Sequence, residues 1–345
     1  MILPTTFSGA LFTALLATIL LGLWVLAFKL TIKRRFEFFL LDFAAGAGLA
    51  SLLAAVTMGT MGGQITALDN LVIVARTDLG IAMASGAILD LGLMMLIAAA
   101  SIAGVAASFL LGLSSALAAH LVYRAVMATG MGAFSAAGAF LSIVAALCVA
   151  VAVLETEKAK EKAAPPPPQP KGIRPRSLPK SWSGKSLVLA WVGGLCVTGF
   201  TILNYASLRG VIRLEAYGAG MAMAFAMVIA TLFFNIWFMN LPVEGAALSF
   251  RTFPSTARNH MLGLAGGAVM FGGLLAYSAA AAAQSETGFR LGYVEACKYG
   301  AFLLAAIVCW IVWNERAAMT MRGRMLVLIA FLLVLMAVIA GFVVV

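Results

Sequence analysis

Ten apolar segments, each long enough to cross a bilayer as a helix, constrain this chain more than any other feature of its sequence. A transmembrane α-helix needs about 20 mainly apolar residues. The segments are Thr6–Leu30, Phe38–Thr60, Gly80–Ala100, Gly104–Tyr123, Gly130–Leu154, Ser186–Ala206, Tyr217–Asn240, Met261–Ala283, Leu291–Trp313 and Met325–Val345. They predict an all-α polytopic membrane protein with ten transmembrane helices.

The boundary between the third and fourth segments is the least obvious one. Only the stretch Ser101–Gly104 separates them. We predict a very tight turn between two helices, and the alternative is one very long helix.

Composition agrees with a lipid environment. The chain is 63% hydrophobic and only 10% charged, whereas soluble domains carry about 25% charged residues. A net charge of +10 would indicate nucleic-acid binding in a soluble protein. Here the Lys and Arg residues cluster in loops, so we interpret them as topology signals. We therefore expect membrane lipid, and no nucleic acid, as a partner.

The stretch Glu155–Lys185 divides the chain into two apolar halves, 1–154 and 186–345. It contains the proline run Pro165–Pro168 and eight of the 23 Lys and Arg residues. Proline runs favour an extended conformation without backbone hydrogen bonds. We predict a solvated, cationic tether with five helices on each side. Because an odd-numbered repeat re-enters the membrane in the opposite orientation, this division predicts two inverted five-helix repeats.

The distribution of positive charge predicts the orientation. With the N-terminus outside, 17 Lys and Arg residues lie in cytoplasmic loops, five lie in external loops and Lys298 lies within a helix. Cytoplasmic loops of membrane proteins carry the excess of these residues. We therefore predict a multi-pass protein of the inner or plasma membrane, with both termini external and the tether cytoplasmic.

Charged residues well inside the bilayer, away from the ends of the apolar segments, are the main functional signal. They are Asp90 in the third segment and Glu295 and Lys298 in the ninth. Burying a charge at the bilayer centre costs at least about 2.5–3.5 kcal/mol, and such residues usually mark substrate or ion pathways. Glu295 and Lys298 are three residues apart and can touch on one helix face, which Phe302 shares. We predict that the three charges form one cluster beside a cavity; a structural ion pair is the alternative.

Other polar and aromatic residues have two possible roles each. We expect Trp24 and Tyr277 to form aromatic walls of the pathway, with simple packing as the alternative. Asn235 is expected either to contact the substrate or to hydrogen-bond across helices. His120 and Arg124, at the end of the fourth segment, are interpreted as side chains that reach towards the membrane interface.

The sequence contains no pattern typical of an enzyme or a metalloprotein. It has no HExxH or GxSxG motif, and its four cysteines are scattered through apolar segments without the spacing of metal ligands. We therefore expect no enzymatic activity, no cofactor and no metal.

The stretch Arg34–Gly46 (RRFEFFLLDFAAG) resembles a signature of the ureide permease family and its bacterial relatives, in the drug/metabolite transporter superfamily near the glucose/ribose uptake branch. Other stretches resemble further family motifs in the same order: Ala103–Phe109, Phe234–Met239, Pro242–Gly245 and Gly266–Met270. The resemblance implies ten helices in two inverted five-helix repeats with a cytosolic central loop.

The chain departs from the family pattern in the expected substrate region. Asp90 stands where the resemblance implies an amide, Leu110 replaces a proline, and Lys298 stands where a glutamine is usual. The changes at Asp90 and Lys298 are complementary in charge and predict a mutual pair. We therefore do not infer from the resemblance that this chain transports a ureide or a sugar.

Four charged residues of the signature stretch, Arg34, Arg35, Glu37 and Asp42, lie at the predicted inner end of the second helix. We predict that they form a cytoplasmic charge network that latches the inward-closed state. A purely topological role for the arginines is the alternative.

These observations together predict a secondary active transporter of a small polar or amphipathic metabolite that works by alternating access. The expected partners are the small-molecule substrate and a coupling proton or cation. A multidrug exporter of the same superfamily is one alternative, and a non-transporting membrane scaffold or assembly protein is another. Substrate identity, transport direction and oligomeric state are left open.

Overall fold

A computed structural model describes residues 3–31, 35–61, 65–127, 132–163, 184–208, 214–243, 256–283 and 287–343. The helices in these ranges are α1 (Phe7–Leu23), α2 (Val25–Leu30), α3 (Phe36–Val56), α4 (Ala67–Ile73), α5 (Arg76–Ala103), α6 (Val105–Met127), α7 (Ala133–Ala163), α8 (Lys185–Ser207), α9 (Ala216–Asn240), α10 (Ala257–Ala282), α11 (Leu291–Val312) and α12 (Met321–Val338). A 3₁₀ turn (Glu315–Ala318) precedes α12, and a π-helical turn (Ile339–Val343) follows it.

The predicted all-α membrane architecture is confirmed. Within the described ranges, ten helical spans are long and apolar enough to cross a membrane. The first span joins α1 and α2, and the last joins α12 to the π-helical turn. The short helix α4 was not predicted; it begins with a reciprocal capping box between Thr66 and Asp69. The protein is therefore a multi-pass helical membrane protein.

A single residue, Gly104, makes the predicted tight turn between α5 and α6. Its φ of +92° lies in the region that glycine adopts without a steric penalty. The Glu315 carboxylate accepts hydrogen bonds from the backbone N–H groups of Val105 (3.0 Å) and Ala106 (2.7 Å) at the start of α6. Lys29 pairs with the same carboxylate. The segment that follows α11 therefore supplies the carboxylate that caps the start of α6 at this turn.

The predicted tether begins later than residue 155. Residues 155–163 continue helix α7, and Glu157 on this extension accepts hydrogen bonds from Gly184 N (3.2 Å) and Ser186 Oγ (3.1 Å). The two ends of the tether are thus joined at the start of α8. Residues 164–183, with the predicted polyproline run, lie outside the described residues.

Most of the major helix contacts keep their pattern when the two halves are exchanged. We match α1 with α8, α3 with α9, α5 with α10, α6 with α11, and α7 with α12. Under this matching, three contacts each have an equivalent: α5–α8 corresponds to α10–α1, α5–α9 to α10–α3, and α6–α8 to α11–α1. Three further contacts join matched helices and are their own equivalents, namely α3–α9, α6–α11 and α7–α12. This pattern agrees with two five-helix repeats, and their inverted orientation stays a prediction.

Glycines bring the helices together at two corresponding interfaces. A Cβ atom on Gly267 of α10 would lie 1.8 Å from the carbonyl oxygen of Phe43 on α3. At the α5–α9 interface, a Cβ atom on Gly86 would lie 2.3 Å from the carbonyl oxygen of Met223. Only glycine fits at such backbone approaches, which are typical of helix packing in lipid.

Candidate functional site

A small cavity lies where helices from both halves meet. Helices α1 and α5 of the first half and α8, α10 and α11 of the second half line it. Its volume of about 30 Å³ has room for one or two water molecules. Four of the residues predicted to form the pathway line this cavity, namely Trp24, Tyr277, Lys298 and Phe302.

The surface that faces the cavity is almost wholly apolar, and the polar groups of its lining residues lie at one corner. Leucine, valine and methionine side chains cover most of it, together with the rings of Trp24, Phe200 and Phe302. The polar corner consists of Tyr277 and Lys298. A cavity of this kind suits a ligand with an apolar body and one polar group.

The predicted contact between Glu295 and Lys298 is confirmed. Their side chains form an ion pair at 2.5 Å, and both residues are 3% exposed. The Lys298 ammonium also donates a hydrogen bond of 2.7 Å to Thr201 Oγ1 on α8. It lies 4.6 Å from the ring centre of Tyr299, within the range of a cation–π interaction.

Two tyrosines hold the other oxygen of Glu295. The hydroxyl of Tyr277 on α10 donates to Glu295 Oε1 at 2.5 Å, and that of Tyr205 on α8 donates to the same atom. The two hydroxyl oxygens lie 3.0 Å apart. Each carboxylate oxygen therefore has at least one donor, and the cation lies beside Oε2. Burial of the ion pair is tolerated because both carboxylate oxygens accept hydrogen bonds and the ammonium also donates to Thr201.

His120 belongs to the same group of side chains. It is 4% exposed, so the interpretation that it reaches towards the interface is wrong. Its Nδ1 atom lies 2.6 Å from the hydroxyl of Tyr299 and 3.6 Å from Glu295 Oε2. Arg124, one turn further along α6, donates to the carbonyl oxygen of Gly341 at 3.0 Å. We define the Glu295 cluster as His120, Thr201, Tyr205, Tyr277, Glu295, Lys298 and Tyr299.

Asp90 is not part of this cluster, so the predicted pair of Asp90 and Lys298 is wrong. Asp90 Oδ1 accepts a hydrogen bond of 2.8 Å from Thr231 Oγ1 on α9, and Oδ2 has no hydrogen-bond partner among the described residues. Leu89 and Leu93, one turn apart on α5, face the cavity. Since successive helix residues are about 100° apart, Asp90 points instead to the α5–α9 interface. We call Asp90 and Thr231 the Asp90 site.

Asn235 lies on α9, outside the lining of the cavity. Its Nδ2 atom donates to the carbonyl oxygen of Glu37 at 2.8 Å, so it joins α9 to α3. Its Oδ1 atom is buried and has no hydrogen-bond partner in the part of the chain that the structure describes. Asn235 is one turn from Thr231 on α9 and does not line the cavity.

The structure describes three of the four residues of the predicted charge network. Arg35 pairs with the fully buried Glu37 at 2.5 Å, and Asp42 pairs with His260 of α10 at 2.8 Å. His260 was not among the predicted members. Arg34 lies outside the described residues.

No protein-family model matches the chain, and no curated protein is significantly similar to it. The resemblance to the ureide permease family therefore stays a prediction. Any assignment of function rests on the geometry of the cavity and its surroundings.

Four members of the Glu295 cluster were missed from the sequence. Thr201 and Tyr205 are four residues apart on α8 and share one face of an apolar helix, a signal that was available. Tyr299 follows Lys298 directly in the sequence. His120 lies near the end of the fourth segment, a position that also fits a side chain at the membrane interface. In the part of the chain that the structure describes, no group of three or more His, Cys, Asp or Glu side chains is placed to hold a metal ion.

Proposed function

We propose that this protein is a secondary transporter that moves a small amphipathic metabolite by alternating access between its two halves. The observation that carries the proposal is the apolar cavity, lined by helices of both halves, with a buried cation at its one polar corner. A site between two repeats is exposed to one side and then the other when the repeats rock against each other. In the proposed orientation the tether lies in the cytoplasm. The membrane is proposed to be the inner or plasma membrane of the cell.

The polar corner supports recognition of a hydrogen-bond acceptor. An ammonium group has three N–H donors, and two of those of Lys298 go to Glu295 and Thr201. One N–H therefore remains for a carboxylate or carbonyl oxygen of a ligand in the cavity. Trp24 and Phe302 would contact the apolar part of the same ligand.

The cavity must widen for a metabolite to enter. Its volume of about 30 Å³ is far below the roughly 300–1,000 Å³ of ordinary ligand pockets. Lys29, Glu315 and the start of α6 join the first half to the segment after α11. In the proposed orientation this contact lies on the cytoplasmic side, where its opening would give access from within.

The apolar lining also favours a second candidate, export of varied apolar compounds. A competition assay in proteoliposomes distinguishes the two candidates by the range of compounds that inhibit transport. A metabolite transporter selects compounds with an acceptor group, whereas an exporter accepts compounds that share only apolar surface.

Thiol labelling tests the proposal against a scaffold role. The four native cysteines are first replaced by alanine, and Phe302→Cys is then introduced. We expect a water-soluble thiol reagent to label this position, because alternating access opens the cavity to water. Phe271→Cys is the matched control, since Phe271 is a fully buried aromatic residue outside the cavity lining. If Phe302→Cys labels no faster than the control, the cavity does not open and a scaffold role is favoured.

A further inference from the structure

Asp90 differs from the other buried acidic residues that the structure describes. Glu37 and Glu295 each have a cationic partner at 2.5 Å. Asp90 is 1% exposed, and no described Lys, Arg or His nitrogen lies within 4.0 Å of its carboxyl group. One hydroxyl donor, Thr231 Oγ1, is its hydrogen-bond partner in the described chain.

The helices packed against α5 supply no compensating charge. These helices are α3, α6, α8 and α9. Their ionisable side chains are Glu37, Asp42, His120, Tyr123, Arg124, Lys185, Cys196, Tyr205 and Tyr217. In the described chain, none of these side chains forms an ion pair or a hydrogen bond with Asp90. The carboxyl group therefore meets α9 through a single neutral hydroxyl.

An ionised carboxylate in this position would be a buried charge supported by one hydrogen bond. Such a group is strongly disfavoured in a low-dielectric interior, and a carboxyl group there becomes neutral instead. A proton on Oδ2 removes the charge. It also converts Oδ2, which accepts no hydrogen bond in the described chain, into a hydrogen-bond donor.

We infer that Asp90 binds a proton in this closed conformation and couples transport to the proton gradient. The coupling part of this inference rests on the proposed function. Asp90 is separate from the Glu295 cluster, so the protein would hold its coupling ion and its substrate at different places.

The position of Asp90 explains how the proton leaves. Helix α5 presents Leu89 to the cavity and Asp90 to α9, which belongs to the other half. When the halves separate at this interface, water reaches the carboxyl group and stabilises its anion. The O–H bond of Asp90 then breaks, and the proton passes to water. Closure of the interface favours rebinding of a proton, because the anion loses its hydration.

A sodium ion is the competing occupant. Two buried oxygens, Asp90 Oδ2 and Asn235 Oδ1, have no donor among the described residues; Asp90 contacts Thr231, and Asn235 lies one turn beyond Thr231 on α9. We favour the proton because it neutralises Asp90 without further ligands, and the experiment distinguishes the two ions.

Infrared spectroscopy of the full-length protein in lipid tests proton binding without a transport assay. We expect the carbonyl stretching band of a protonated carboxylic acid at neutral pH. Asp90→Asn should remove this band, whereas Asp78→Asn, the same change near the start of α5, should leave it. Thr231→Val should retain the band, because it removes the donor that favours the anion. A band unchanged in Asp90→Asn, or absent from the unmodified protein, would overturn the inference.

Two further measurements separate the remaining outcomes. Sodium-dependent thermal stabilisation that is lost in Asp90→Asn would assign the site to sodium and reject the proton. In proteoliposomes, Asp90→Asn should retain substrate exchange without a gradient but lose accumulation driven by a pH gradient. Loss of exchange as well would reject a role limited to coupling. Absence of transport by the unmodified protein would reject the proposed function while leaving the infrared result intact.

Discussion

The Glu295 cluster and the Asp90 site both bury a carboxyl group between helices of the two halves, but they surround it differently. Glu295 has an ammonium group and two tyrosine hydroxyls as donors. Asp90 has one threonine hydroxyl. Both side chains are carboxylic acids and both are buried, so the side chains around them decide whether the group is stable as an anion.

The comparison also separates two kinds of function. The Glu295 cluster offers a permanent cation to the cavity, which suits recognition of a ligand. The Asp90 site has no permanent counter-charge, which suits reversible binding of an ion. Four substitutions, alone or combined, test this contrast through the free energy of unfolding.

Removal of the cation from the Glu295 cluster should have the largest effect. Lys298→Met leaves Glu295 as a buried charge without its partner, and such changes cost about 3–5 kcal/mol. Chemical denaturation in a fixed detergent should show a loss of this size. Lys160→Met, at an exposed position on the α7 extension, is the control and should change stability little.

Double variants identify the true partner of Lys298. Adding Glu295→Gln to Lys298→Met should recover much of the lost stability, because no buried charge is then left. Adding Asp90→Asn should recover none, since effects of residues without shared contacts add. Recovery with Asp90→Asn instead would contradict the separation of the two sites.

Loss of one donor to Glu295 should have an intermediate effect. Tyr277→Phe removes a hydroxyl from a charged acceptor, and hydrogen bonds to charged groups contribute about 1.5–3 kcal/mol. The same denaturation measurement should show a loss in this range. Tyr293→Phe is the control, because Tyr293 lies on the same helix as Glu295 but outside the cluster. An equal loss in both variants would mean that the Tyr277 hydroxyl has no special role.

Replacement of Asp90 by its neutral amide should have the smallest effect. Asp90→Asn keeps an acceptor for Thr231 and preserves the side-chain shape, so stability should change by less than about 1 kcal/mol at neutral pH. Glu295→Gln should be more damaging, because it strands Lys298. If Asp90→Asn costs as much as Glu295→Gln, then Asp90 is ionised in the folded protein and the contrast between the sites fails.

Parts of the candidate site followed from local spacing. Glu295, Lys298 and Phe302 share a face of α11 because three- and four-residue separations bring side chains together on any helix. The turn at Gly104 was expected because two spans lay so close together in the sequence. The extension of α7 through residues 155–163 was missed, since its charged composition resembled that of a tether.

The sequence by itself determined the ten spans, since only helices of sufficient apolar length satisfy their backbone hydrogen bonds within lipid. It also determined which residues share a helix face. Tertiary structure alone decided that Asp90 meets Thr231 rather than Lys298, and that His120 turns inward to Tyr299. The physical reason is that helical periodicity relates residues within a helix. The helix lying opposite is selected by close packing, as where Gly86 admits the backbone of α9.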